Sequence, residues 1–166
     1  SRSPAWRAGE EWLIPDSPLV SIGTVDGPAE YQLTDVRGVV GLSDGRIVVA
    51  DGASNTLRAF GPDGRYLWSS GRKGQGPGDF VRLARLARYR GDSLLAFDFT
   101  VGRRVFSVIG PTGRFARSWH PQNPDASPGS LRFIGAWEDG TVAMSVAPMA
   151  RPSSPPRVIR LPAQLL

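Results

Sequence analysis

Ten residues from Gly71 to Phe80 contain four glycines and a proline, a composition that sustains neither a strand nor a helix. The stretch therefore punctuates two structured units, with Gly71, Gly74, Gly76, Pro77 and Gly78 forming the corner between them. Its second half has an echo. The order glycine, proline, small residue, acid, aromatic at Gly76–Phe80 recurs at Gly27–Tyr31, 49 residues earlier, and more faintly at Ser127–Leu131. A chain with similar corners at similar intervals is an array of similar units, and each unit can be read separately.

In the first unit, Val36–Leu42 and Arg46–Ala50 are apolar or β-branched runs separated by Asp44-Gly45, a two-residue hairpin signal. Asp51–Asn55 is a polar loop, Thr56–Phe60 a third strand, Pro62-Asp63-Gly64 a tight turn, and Tyr66–Ser70 a fourth strand. The second unit repeats the plan with strands at Leu83–Tyr89, Leu94–Phe97, Val105–Ile109 and Phe115–Trp119. The offsets agree, since Asp98 follows Asp51 by 47 residues and Gly113 follows Gly64 by 49. A third pass places strands at Leu131–Trp137, Thr141–Val146 and Val158–Leu161, the last after a proline- and serine-rich loop at Pro148–Pro156. Arg82–Arg90 also fits a short amphipathic helix, but the repeat requires a strand there. Leu19–Val25 alternates and is expected to be a strand completing a neighbouring unit. Residues 1–18, with Trp6 and Trp12, form an extended lead-in expected to dock its tryptophans.

Four short strands per unit of about 48 residues, with an Asp closing the second strand, are the pattern of propeller blades. At Asp44–Asp51, Phe60–Arg65 and Gly71–Phe80 the chain resembles the NHL-type six-bladed β-propeller proteins of bacteria, often secreted or lipid-anchored. The resemblance implies an all-β partial propeller over residues 19–166, with blade units near 32–80, 81–130 and 131–166. Twelve strands make about three blades, half the number the family uses. Such an arc leaves terminal faces uncovered, and these need further residues, a second copy or a larger complex to cover them.

Composition narrows the chemistry. The chain has 166 residues and no cysteine, which excludes disulfides and thiolate metal sites. No apolar run is long enough to span a membrane as a helix. Residues 1–81 hold 8 basic against 10 acidic side chains, whereas residues 82–166 hold 12 arginines against 5 acids, so the net charge of +5 belongs to the second half. Arginine supplies nineteen of the twenty cations, a bias that codon usage in a GC-rich genome produces as readily as selection for guanidinium groups.

Few residues suggest catalysis. His120 is the only histidine, so a triad would have to use it and a zinc site would need carboxylates for its remaining ligands; a loop histidine is the simpler reading. Asp51 and Asp98 share one position in successive units. A carboxylate ring for cations or acid–base work would need a third, but Ser145 stands 47 residues after Asp98. Each Asp is instead expected to accept backbone N–H groups of the loop that begins at Gly52 or Thr100. Gly71–Gly78 is no phosphate loop, because no Gly-Lys-Ser/Thr follows and no helix opens there.

The arginines at 82, 85, 88, 90, 103, 104, 114 and 117 carry the functional weight. They are expected to gather on the second unit, where they form either a solvated basic face or a field that steers an acidic protein or a membrane surface; nucleic acid would bring exposed, interleaved aromatics for stacking. The sequence thus points to a non-enzymatic binding or scaffolding subunit without cofactor or metal, periplasmic or otherwise extracytoplasmic, docking on a larger, membrane-associated assembly. The alternative is a piece of a complete propeller that binds a small ligand or acts as a hydrolase or lyase through blades beyond this sequence.

Overall fold

The computed structural model describes residues 14–100, 102–121, 129–148 and 157–161. These hold eleven strands: β1 Val36–Gly41, β2 Ile47–Asp51, β3 Thr56–Phe60, β4 Tyr66–Ser70, β5 Leu83–Arg88, β6 Leu94–Thr100, β7 Arg103–Ile109, β8 Phe115–Trp119, β9 Gly129–Ala136, β10 Val142–Pro148 and β11 Arg157–Leu161. They form three antiparallel sheets in sequential order, β1 to β4, β5 to β8 and β9 to β11, giving a partial β-propeller with no closed barrel. Arg82–Arg90 contributes a strand, not a helix, because Leu83 and Leu86 face one core while the chain pairs with β6.

Hairpin chemistry explains why the strands turn where they do. At Asp44-Gly45, Asp63-Gly64 and Asp139-Gly140, the carboxylate accepts the amide two residues on, from Arg46 (3.1 Å), Arg65 (3.1 Å) and Thr141 (2.8 Å). The glycine then takes a left-handed φ of +84°, +80° and +84°. The corner at Gly71 works differently. The Phe80 amide donates to the Arg72 carbonyl (2.9 Å), the Gly74 amide donates to the Phe80 carbonyl (3.0 Å), and the Phe80 ring is fully buried. Gly71 has φ +82°, and a Cβ there would stand 2.5 Å from that ring, so both backbone and space require glycine.

Two seams join the blades. Between blades 1 and 2, Val40, Leu42, Val48, Ala50, Leu57 and Ala59 pack on Leu83, Leu86, Leu94, Ala96 and Ile109. Between blades 2 and 3 the packing is aromatic: Tyr89, Phe97 and Phe106 meet Phe133, Val142 and Met144. First strands lie side by side, and Gly38 of β1 approaches so closely that a Cβ would meet Leu86 of β5 at 3.2 Å. Polar ties reinforce the first seam. The Leu83 amide donates to Asn55 Oδ1 (2.9 Å), and Arg46 donates to the Pro111 carbonyl (2.5 Å).

Residues 19–25 differ from expectation, for they form no strand. An alternating segment becomes a strand only with a ladder partner, and here the Thr24 amide donates instead to the Tyr31 carbonyl (3.0 Å). The segment lies along the Gly64 turn, and Tyr31 packs on Phe60 with ring centroids 5.6 Å apart. It therefore covers part of the leading face of blade 1. Trp6, Trp12 and most of the Pro148–Pro156 loop lie outside the described residues.

Candidate functional site

Asp51 and Asp98 are both buried and both structural. Asp51 accepts the amides of Asp35 (3.1 Å) and Ala53 (3.2 Å), the Ser54 hydroxyl (2.7 Å) and Arg58 (3.3 Å). Asp98 accepts the amides of Val81 (3.0 Å) and Arg82 (2.6 Å) and pairs with Arg103 (3.3 Å). Each carboxylate pins the entry to the first strand of its blade, and among the described residues the backbone amides that Asp98 accepts come from Val81 and Arg82 and not from the loop at Thr100. In blade 3 the ladder puts Val146, not Ser145, opposite Leu131, just as Asp98 stands opposite Leu83. No group of three or more His, Cys, Asp or Glu side chains able to hold a metal occurs among the described residues. His120 is exposed, and its Nδ1 lies 3.0 Å from the Arg104 carbonyl oxygen.

The eight arginines are divided by their strand positions. Arg88 bridges Asp92 (2.8 Å) and Glu138 (3.0 Å), Arg90 donates to the Asp139 carbonyl (2.6 Å), and Arg103 is committed to Asp98. Arg104 lies over Phe99 and Arg117 over Trp119, at 5.8 and 5.2 Å. These five stabilise the blades. Arg114 stands exposed beside the outer hairpin at Gly113. Arg82 and Arg85 are also exposed, and they converge with two arginines that sequence reasoning did not select, Arg37 of β1 and Arg132 of β9, around a cleft of about 440 Å³.

Two positions within the repeat distinguish the seam at this cleft from the first. Gly38, Arg85 and Arg132 occupy equivalent ladder positions, opposite Ala50, Phe97 and Ser145. Glycine and alanine let the first seam close, whereas Arg85 and Phe97 hold the second seam open at its axial end. Phe97, Phe99 and Phe133 line the cleft, with Phe97 centred 6.0 Å from Phe99 and 5.9 Å from Phe133. Arg37 is held by Asp35 through two donors, at 2.8 and 2.7 Å. Arg82, Arg85 and Arg132 have no carboxylate partner among the described residues.

A second feature is the trailing face of blade 3. By ladder register Val158 corresponds to Leu57 and Phe106, and by hairpin register Trp137 corresponds to Leu42 and Tyr89. Leu57 and Phe106 are 0 % exposed and Val158 is 67 % exposed; Leu42 and Tyr89 are buried and Trp137 is 51 % exposed. Trp137, Ala143 and Val158 border an open hollow of about 710 Å³. Among the described residues, no blade covers the positions that make seams elsewhere.

No known family model matches the chain, and no curated protein does. Among solved structures, the fold is similar to a Bacteroides fragilis protein described as exported, with a TM-score of 0.55 and 19% identity over 75% of this chain. That likeness concerns architecture. This chain spans 33% of the length of the Bacteroides fragilis protein.

Proposed function

We propose that this chain is a non-enzymatic binding and scaffolding subunit, working outside the cytoplasm, that docks through its open arc and its arginine-rich second half onto a larger, membrane-associated assembly. The open face of blade 3 carries the reading. Its apolar side chains stand at seam positions, and burying such surface contributes about 25 cal/mol per Å². A face of this kind left in water favours association. The positive second half adds steering toward an acidic partner. No helix among the described residues is long and apolar enough to cross a membrane, so attachment in this reading comes through the partner. The likeness to an exported protein supports the location.

Native co-purification from membranes tests it. Trp137→Ser with Val158→Ser should abolish partner retention, and Arg114→Glu should weaken retention in a salt-dependent way. A monomer that is unaffected by these changes and retains no partner overturns the reading. Charge reversal at Arg88 or Arg103 would not serve, because both hold internal carboxylates.

One observation favours a second reading. The chain spans a third of the length of the Bacteroides fragilis protein, which suits an NHL-like six-bladed propeller whose further blades cover the open face and carry ligand binding or hydrolase or lyase chemistry. The intact mass of the native polypeptide decides, since this reading requires a mass well above 17.9 kDa.

A further inference from the structure

We infer that the axial cleft between blades 2 and 3 is a binding site for a small organic anion carrying two or more negative charges, as carboxylate or phosphate, on a flat apolar body. The inference deepens the binding reading above, but the cleft shares no lining residue with the open face of blade 3, so either can fail alone.

The charge arrangement sets the number of anionic groups. Arg82, Arg85 and Arg132 come from two different blades and have no carboxylate partner among the described residues, whereas Arg37, Arg58, Arg88 and Arg103 each have at least one. Like charges converging on one cleft repel each other unless an anion enters, and a guanidinium offers paired donors that match the oxygens of carboxylate or phosphate. Arg37 is already oriented by its double contact with Asp35, which lowers the ordering cost of binding.

The floor sets the body of the ligand. Phe97, Phe99 and Phe133 give the cleft an aromatic lining beside the cations, suited to a flat ring that packs on phenyl groups. Its volume of about 440 Å³ falls in the size range of small-molecule sites. A nucleic acid would need a basic track continuing past the cleft. Here the neighbouring arginines Arg88, Arg90 and Arg103 turn to internal partners.

Calorimetric titration of the full chain with naphthalene dicarboxylate and with naphthyl phosphate tests the site, the two probes separating the carboxylate from the phosphate form. Saturable one-to-one binding that weakens with salt is expected for one of them. Arg85→Gln and Arg132→Gln should each weaken it about tenfold, as loss of a charge-assisted hydrogen bond does, while Arg114→Gln leaves it unchanged. Both cleft variants remove exposed side chains without ion pairs among the described residues, and unchanged denaturation midpoints would show that they fold. No binding of either probe overturns the inference. So does equal weakening by Arg114→Gln, which would mean a diffuse basic surface, or indifference to both cleft variants, which would mean apolar adsorption. Tighter binding of a polyglutamate peptide than of either probe would move the site to the docking reading. If Trp137→Ser abolishes partner retention but leaves titration intact, the two sites are separate.

Discussion

The two seams of this arc are built on one plan and do different things. Between blades 1 and 2 the contact is mainly aliphatic, with Phe80, Trp68 and Phe115 joining the same core, and is closed to its axial end, with Gly38 against Leu86 and further ties from Asn55 and Arg46. Between blades 2 and 3 it is aromatic, and the residues equivalent to Gly38 and Ala50 are Arg85 and Phe97. Side-chain volume at two ladder positions separates a structural joint from a cleft. The trailing face of blade 3 shows the same plan with no neighbour among the described residues. In a repeat protein, function can therefore be sought where a position that is small in one unit becomes large and charged in the next.

The sharpest way to break this comparison is to remove the same position from a covered and an uncovered face. Phe106→Ala empties a fully buried site touching Phe97, Phe133 and Trp119, and should destabilise the chain by about 3–5 kcal/mol in chemical denaturation. Val158→Ala, at the corresponding register, should cost less than about 0.5 kcal/mol, as exposed substitutions do. A cost for Val158→Ala approaching that of Phe106→Ala would show that this face is covered in the molecule as measured.

A smaller effect tests whether residue volume really opens the second seam. Gly38→Arg gives blade 1 the residue of blade 2, and its Cβ would press on Leu86 at 3.2 Å, so it should cost about 1–3 kcal/mol by overpacking. Arg85→Gly makes the reverse change and should cost only about 0.5–1 kcal/mol, the usual penalty of glycine inside a strand. Equal costs for the two would show that Gly38 is not pressed against its neighbour.

Much of this architecture was legible because local chemistry and the repeat agree. The Asp-Gly hairpins mark their turns, the repeat register gives the strand at the start of blade 2 where the spacing of Leu83 and Leu86 alone also fits a helix, and Gly71–Phe80 joins β4 to β5. Leu19–Val25 was misread because alternation shows that a segment could be a strand, not that an edge is available to pair with it. Ser145 was misplaced by one residue because the interval from Asp98 to its ladder equivalent is 48, not 47. The cleft was missed in part because arginines were sought within one unit. Arg37, Arg85 and Arg132 are 48 and 47 residues apart, the blade period itself, and that spacing was the available signal.

The smallest expected effect concerns the first hairpin of blade 2, where the order of residues is Gly91-Asp92 instead of Asp-Gly. Asp92 therefore stands where blade 1 has Gly45, at φ +60°, which Asp tolerates better than most residues. Its carboxylate, freed from the local turn, accepts the amide (3.1 Å) and hydroxyl of Ser43 in blade 1 and pairs with Arg88 (2.8 Å). The Ser43 hydroxyl is the largest influence and lowers the Asp92 pKa below the ordinary carboxylate value; burial opposes it, and the Ser43 amide, Arg88 and Arg46 each add a smaller lowering effect. A folded pKa lower than the unfolded one contributes stability that is present above the unfolded value and is lost as pH falls through the folded one. Asp92→Asn keeps the left-handed backbone and removes the titration. Its melting temperature should lie below that of the parent chain at neutral pH and converge with it below the usual carboxylate range, measured by thermal denaturation across that interval. A gap that stays constant with pH would mean that Asp92 acts through shape alone and that the charge contributes nothing to the first seam.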